Sequence, residues 1–234
     1  MRSPVYAPPR FVLLSECALT VEFGDEITLR TNELVLACSA SIDQAALPGV
    51  VDVVPTYRST TVYFDPLRTD TTTLTGQIQA LVTQNIHTLL RPATTHTIPV
   101  WYGGAAGPDL LEVAELAGLT PADAAGLHAS VTYRVYMLGF SPGFPYLGTV
   151  PERIATPRLP TPRKQVAAGS VGIAGTQTGI YPQTSPGGWR IIGRTPIRLF
   201  SLHRPQPFLL APGDFVRFVP IDEDEFGRLS MEPA

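Results

Sequence analysis

The first third of the chain alternates between strand-like and helix-like hydrophobic patterns. VLLSE and CALTVEF alternate apolar and polar positions around a Ser15-Glu16 turn, as paired strands do. Apolar residues then recur at helical spacing between about residues 28 and 45, and VVDVV and STTVYFD follow as two more strands. A second helix, with Asp70 or Thr71 as N-cap, has one face made of Leu74, Ile78, Leu81, Val82, Asn85 and Ile86. The order ββαββα predicts a small α+β sandwich.

The remainder of the chain is dominated by short β segments. A strand opens near Thr97, two short helices follow, and Thr120 and Asp123 are spaced as a capping box around Pro121. VTYRVYML then predicts a strong strand, and the segments after it are broken by Gly and Pro. We therefore predict two domains, a 1–95 α+β domain and a 96–234 antiparallel β-barrel or sandwich, with a solvated acidic tail at 222–225.

Composition narrows the class of protein. The hydrophobic content of 44% suits a packed core, and 24 prolines with only 16% charged residues favour short strands and turns. The sequence pI of 5.8 argues against nucleic-acid binding, and we expect neither a signal peptide nor a membrane span. Cys17 and Cys38 lack metal-site spacing, so we expect two buried, reduced thiols in a cytoplasmic protein.

The clearest chemical feature is the run of residues 153–213, which carries eight basic side chains and no Asp or Glu. Its glycine cluster, GSVGIAGTQTGIYPQTSPGGW, adds turn amides that donate, like guanidinium groups, to oxygen anions. We expect an anionic ligand to bind this run, held and oriented by Arg158, Arg163, Arg194, Gln177, Thr178, Tyr181 and Ser185. The alternative is that the glycines mark bulges and tight corners and that the arginines pair with carboxylates from elsewhere. Because the run holds no carboxylate, any base must come from another segment or another subunit.

The segment GFSPG matches the G-x-S-x-G pattern of serine hydrolases, but the pattern is not a nucleophile elbow here. The residue after Ser141 is Pro142, which has no backbone N–H to offer an oxyanion. We expect a rigid loop instead, with Phe140, Phe144 and Trp189 as walls of a pocket or anchors against a partner. His128 is expected to be a core or capping residue rather than a catalytic one, with a place in that pocket or interface as the alternative, and the four histidines do not predict a metal site.

Long segments of the chain resemble one known family. These are YRVYMLGFSPGFPYLG, TPRKQVAAGSVGIAGTQTGIYPQTSPGGWRIIGRTPIRLF, LPGVVDVVPTYRSTTVYFDP and IPVWYGGAAGPDLLEVAELAGL. The family is variously called allophanate hydrolase subunit 1, the kinase-inhibitor family with a cyclophilin-like C-terminal domain, and the B subunit of bacterial ATP-dependent 5-oxoprolinase. The resemblance covers nearly the whole chain and implies that its C-terminal barrel is cyclophilin-like.

The resemblance also implies partners: a homologous cyclophilin-like subunit and a third, lactam-utilisation subunit. Together the three subunits would open 5-oxo-L-proline to L-glutamate at the expense of ATP. The ATP would be bound by the complex, and not necessarily by this subunit. A carboxyltransferase component of urea or allophanate metabolism and a non-catalytic histidine-kinase inhibitor remain alternatives. A prolyl isomerase is suggested only by analogy of fold.

Overall fold

The computed structural model describes residues 5–85 and 91–231. The chain divides into two compact units, Met1–Pro92 and Ala93–Ala234. Within the described residues, no helix is both long and apolar enough to cross a membrane.

The first unit is an antiparallel sheet of strand order β1-β2-β4-β3 covered by two helices. Its elements are β1 Val5–Ser15, β2 Ala18–Gly24, α1 Leu29–Ala45, β3 Val50–Pro55, β4 Ser59–Phe64 and α2 Thr71–Asn85. Helix α1 begins where the Thr28 side chain accepts a hydrogen bond from the Thr31 amide, and Asp70 likewise accepts from the Thr73 amide before α2. The predicted ββαββα order is confirmed.

The predicted apolar face of α2 is confirmed where it is described, since Leu74, Ile78 and Val82 are buried. Ile86 and the Asn85 side chain lie outside the described residues. The expectation of two buried thiols was wrong for Cys17, which is exposed because it lies in the turn between β1 and β2. Cys38 is buried on α1, and burial raises the pKa of its thiol to about 12.

The second unit is a closed barrel of strand order β10-β7-β6-β13-β5-β12-β9. Its elements are β5 Thr95–Tyr102, α3 Leu110–Ala117, α4 Pro121–Ala129, β6 Thr132–Leu138, β7 Pro145–Gly148, a 3-10 helix Glu152–Ile154, β8 Arg163–Val166, β9 Ser170–Ala174, β10 Gln177–Ile180, β11 Ser185–Gly187, β12 Arg190–Arg194, β13 Phe215–Ile221 and α5 Glu223–Met231. β8 and β11 form a separate two-stranded sheet. The α+β fold with a C-terminal barrel is confirmed.

Two details of the second unit differ from the prediction. β13 closes the barrel between β6 and β5, so it runs antiparallel to β6 but parallel to β5. The acidic tail is exposed as expected but begins a helix, α5, because Asp222 accepts a hydrogen bond from the Glu225 amide as an N-cap. Phe226 of this helix packs on Trp101 of β5, with ring centroids 5.6 Å apart.

Asp109 fastens the start of α3 to the barrel. Its buried carboxylate accepts two hydrogen bonds from the Arg163 guanidinium, at 2.9 and 2.7 Å, and one from the Ile191 amide at 2.6 Å. The Asp109 amide in turn donates to the Ile191 carbonyl. Gly107 lets this segment approach β12, because a side chain there would collide with the Ile192 carbonyl.

We expect Asp109→Asn to destabilise the protein by about 2 kcal/mol, because it leaves the Arg163 charge without its counterion. The cost is below that of breaking a fully buried pair, since the Arg163 side chain is 33% exposed. Urea denaturation would measure it, with Glu115→Gln on the exposed side of α3 as the control. Equal stability of the two variants would contradict a fastening role for Asp109.

Candidate functional site

An aromatic pocket lies on the second unit, apart from the main barrel core. Phe144 immediately precedes β7 and Tyr146 is its second residue, and this two-residue spacing brings their rings to one side, with centroids 5.0 Å apart. They meet Trp189 with ring centroids 5.4 and 6.0 Å away, and Tyr181 lies 5.2 Å from Phe144. The cavity measures about 90 Å³, and its walls are Phe140, Phe144, Tyr146, Arg158, Tyr181, Gly187, Gly188 and Trp189.

Glycines allow these rings to pack closely. A side chain at Gly179 on β10 would come within 3.1 Å of both Phe144 and Trp189 and within 2.9 Å of the Pro145 carbonyl. Gly179 therefore serves close packing of the rings rather than ligand binding. Gly187 and Gly188 line the pocket itself, and a side chain at Gly187 would collide with the Tyr181 ring.

Arg158 is the cation of the aromatic pocket. Its guanidinium carbon lies 5.8 Å from the centre of the Trp189 ring, within the range of a cation–π interaction. The side chain is exposed, and no carboxylate pairs with it among the described residues. The pocket thus combines flat apolar walls with a positive charge that an anionic group can approach.

The two tyrosines of the pocket are hydrogen-bond donors rather than bases at neutral pH. Burial raises the pKa of Tyr146, and the nearby Arg158 charge offsets part of that rise. Burial also raises the pKa of Tyr181, against hydrogen bonding from the Trp189 backbone and the charge of Arg158. Both phenols therefore keep their protons and can donate to a carbonyl or carboxylate oxygen.

The structure separates the arginines that were predicted to bind one anion. Arg163 uses its guanidinium fork on Asp109, as described above. Arg194 lines a different cavity, of about 430 Å³, which we call the α5 cavity. Its walls are Ala168, Gly169, Pro182, Arg194, Thr195, Pro196, Ile197, Arg198, Phe226 and Ser230. Of the predicted trio, only Arg158 reaches the aromatic pocket.

The other polar candidates are also dispersed. Gln177 is half-buried where β10 begins, opposite Gly148 of β7. Ser185 begins β11, where its hydroxyl donates to the Pro186 carbonyl at 3.3 Å. Thr178 is fully buried, and its hydroxyl donates to the Gly172 carbonyl at 3.0 Å. None of these three lines the aromatic pocket.

His128 lies in the barrel core and joins a directed chain of hydrogen bonds. Because the Thr178 hydroxyl donates to a carbonyl, its oxygen must accept from His128 Nε2–H, 2.9 Å away. His128 Nδ1 then accepts from the Tyr102 hydroxyl at 2.8 Å. The ring stacks on Tyr133 and Phe218 and is fully buried, and this burial lowers its pKa to about 3. His128 is therefore neutral at physiological pH and is a core residue.

Ser141 lacks the surroundings of a catalytic serine. The loop that carries it joins two strands, β6 and β7, rather than a strand and a helix. Its hydroxyl is buried and makes no hydrogen bond to any described residue, so no histidine stands ready to accept its proton. Phe140, the residue before it, has a positive φ of 64° and is 63% exposed at the rim of the aromatic pocket.

The described residues contain no cluster of three or more His, Cys, Asp or Glu side chains that could hold a metal ion.

Sequence reasoning missed Tyr146 in the aromatic pocket and Arg198 and Phe226 in the α5 cavity. Tyr146 could have been found from its two-residue spacing to Phe144. Phe226 could not, because its role depends on a helix that was not predicted.

Comparison with known proteins identifies relatives over most of the chain. Residues 9–210 match the family described as carboxyltransferase domain, subdomain C and D. The 5-oxoprolinase B subunit of Bacillus subtilis (strain 168) is 40% identical over 229 residues, covering 94% of this chain and 95% of that protein. The crystal structure of a conserved uncharacterized protein from Pyrococcus horikoshii is 44% identical, with a TM-score of 0.56, over 93% of this chain and 100% of that one.

Longer proteins contain the same fold. The structure of K. lactis urea amidolyase is similar with a TM-score of 0.75 over 94% of this chain, which spans 15% of that protein. At 19% identity this likeness shows the fold alone. The chain also spans 40% of a longer solved chain that it matches at 39% identity and a TM-score of 0.79.

The neutral His128 makes the protein acid-sensitive. Between pH 6.5 and about 3 the unfolded chain binds a proton at this ring and the folded chain does not, so stability falls as the pH falls through that window. The free energy of unfolding lost through this residue is at most about 5 kcal/mol. We expect His128→Asn to be less stable at pH 7 but to lose less on acidification, in urea denaturation at pH 7 and pH 4.

The exposed His203 provides the control, since His203→Asn should follow the parent protein at both pH values. Carboxylates titrate in every variant, so the measured quantity is the difference between variants. Parallel stability curves for the parent and His128→Asn would contradict the assignment of a neutral, buried His128.

Proposed function

The chain belongs to the family of 5-oxoprolinase B subunits, built on the carboxyltransferase C and D subdomains, and from that premise we propose that it is one component of an ATP-dependent 5-oxoprolinase. The complex would open 5-oxo-L-proline to L-glutamate. The observation that carries this proposal is the 40% identity with a 5-oxoprolinase B subunit over almost the full length of both chains.

We propose the aromatic pocket as the part of this subunit that contacts the substrate. 5-Oxoproline is a small, flat lactam with one carboxylate. Its ring suits the walls formed by Phe144 and Trp189, and its carboxylate suits the exposed guanidinium of Arg158. The protonated phenols of Tyr146 and Tyr181 can donate to the lactam or carboxylate oxygens. A cavity of about 90 Å³ is too small to enclose a nucleotide.

The same pocket supports a requirement for partner subunits. Its described lining contains no Asp, Glu or His, so it offers no group that could accept a proton at neutral pH. Ring opening needs a base as well as an acid, and we propose that another subunit supplies the base. ATP is proposed to bind to the complex.

An apolar groove beside the pocket is the surface we propose for the homologous barrel subunit. The groove measures about 370 Å³ and is lined by Leu138, Gly139, Phe140, Ser141, Pro142, Gly143 and Phe208. Phe140 belongs to both the groove and the pocket, so a partner seated in the groove would border the substrate. We expect the whole interface to exceed about 2,000 Å², the obligate class.

A carboxyltransferase role in urea or allophanate metabolism is the second candidate. It is favoured by the family match and by the shared fold with urea amidolyase. The two functions differ in substrate, so one reconstitution experiment distinguishes them.

Co-expression with the homologous barrel subunit and the lactam-utilisation subunit should yield ATP-dependent release of glutamate from 5-oxo-L-proline. Arg158→Gln should then lower kcat/KM by about tenfold or more, mainly through KM, because a charged hydrogen bond to the substrate is lost. Lys164→Gln, an exposed cation on β8, should have no effect. Size exclusion should show that both variants assemble as the parent complex does.

Three outcomes would count against these proposals. Turnover by the isolated chain would contradict the shared site. Loss of assembly in Arg158→Gln would move Arg158 from the substrate to the subunit interface. Carboxyl transfer to urea without any glutamate release would favour the second candidate.

Ser141→Ala should change turnover of the reconstituted complex by less than about tenfold, whereas removal of a true nucleophilic serine costs several orders of magnitude. Phe140→Ala, one residue away, should lower activity or assembly because Phe140 lies in both the pocket and the groove. An assembled but inactive Ser141→Ala complex would show that Ser141 is catalytic after all.

A further inference from the structure

The α5 cavity is a second concave site that the proposed reaction does not use. It shares no lining residue with the aromatic pocket. One wall is the turn containing Gly169, another is the end of β12 with Arg194, and α5 contributes Phe226 and Ser230. Its described lining includes the cations Arg194 and Arg198 and no Asp or Glu.

Arg194 is held in position before any ligand arrives. Its Nε donates to the Ala168 carbonyl at 2.8 Å, and its guanidinium lies 5.8 Å from the centre of the Phe226 ring. The backbone beside it is also fixed, since the Thr195 amide donates to the Gly169 carbonyl at 2.9 Å. With Nε engaged, the two terminal nitrogens of Arg194 remain as a fork for a ligand.

The second cation is more exposed but belongs to the same loop system. Arg198 has no carboxylate partner within the described residues, and its carbonyl accepts a hydrogen bond from the Arg204 guanidinium at 2.6 Å. Other arginines of the same basic run are neutralised by ion pairs, since Arg163 is paired with Asp109 and Arg190 with Glu112. Positive charge is thus left unbalanced at the α5 cavity.

We propose that the α5 cavity binds the phosphate group of a small phosphate-bearing molecule, with Arg194 as the fork and Arg198 as the second cation. A phosphate carries up to two negative charges and three acceptor oxygens. Two guanidinium groups therefore match a phosphate better than a single carboxylate. Ser230 already donates to the Phe226 carbonyl, so recognition rests on the arginines. The volume of about 430 Å³ leaves room for more than the phosphate itself.

The two tryptophans allow each cavity to be observed separately in the full-length chain. Trp189 lines the aromatic pocket, whereas Trp101 packs on Phe226, a wall of the α5 cavity. In a Trp189→Phe background, emission therefore reports on the α5 cavity. In a Trp101→Phe background, it reports on the aromatic pocket.

We would titrate both backgrounds with inorganic phosphate, ATP and 5-oxo-L-proline, and repeat each titration by calorimetry. We expect saturable binding of phosphate or ATP that changes Trp101 emission but not Trp189 emission. Saturation by phosphate alone identifies the free anion as sufficient, and tighter binding of ATP identifies a nucleotide as the fuller ligand. Either result supports the proposal.

Arg194→Gln should raise the phosphate Kd by about tenfold or more, and Arg198→Gln by a smaller factor, because each removes charge-assisted hydrogen bonds. Arg217→Gln, an exposed cation on β13 outside the cavity, should leave the Kd unchanged. Should Arg194→Gln unfold, the exposed Arg198→Gln and the charge-preserving Arg194→Lys still test the site.

The proposal is overturned if neither emission nor heat shows saturable binding of phosphate or ATP at millimolar concentration. It is also overturned if Arg217→Gln weakens binding as much as Arg194→Gln, since binding would then reflect overall charge. These outcomes are independent of the proposed oxoprolinase reaction, which is reported by glutamate release and by the Trp189 signal.

Discussion

The buried carboxylate of Asp109 is the contact on which the second unit depends. It accepts the fork of Arg163 and the amide of Ile191, and so joins the start of α3 to β8 and to β12. A buried anion of this kind is tolerated only when its oxygens are hydrogen-bonded, as both are here. Through this contact the helices between β5 and β6 are fixed to the barrel, and the Arg163 charge is neutralised within the chain.

This arrangement divides the basic run into two groups. Arg163 and Arg190 are matched by Asp109 and Glu112, two acidic side chains at the start of α3. Arg158 and Arg194 have no such partner in the described part of the chain, and each lies at a separate cavity. One charge-dense segment is therefore divided, since some of its arginines are neutralised by α3 and others line cavities without a carboxylate partner among the described residues.

The aromatic pocket and the core histidine show how burial assigns roles to similar groups. Tyr146 and Tyr181 border a cavity, so their protonated phenols can reach a ligand. His128 and Thr178 satisfy each other inside the barrel, where desolvation keeps the imidazole neutral and inaccessible. A residue type that is often catalytic is thereby structural here.

The sequence by itself determined the element order of the first unit and the start of α4, because hydrophobic periodicity and caps such as Asp70 and Thr120 act over a few residues. It also argued against a serine elbow, since Pro142 lacks an N–H in any fold. Only the tertiary structure decided which arginines are paired, because Asp109 and Glu112 lie 54 and 78 positions from Arg163 and Arg190 along the chain. Such pairings depend on barrel closure, as does the parallel contact of β13 with β5, and closure is set by long-range packing that no local pattern encodes.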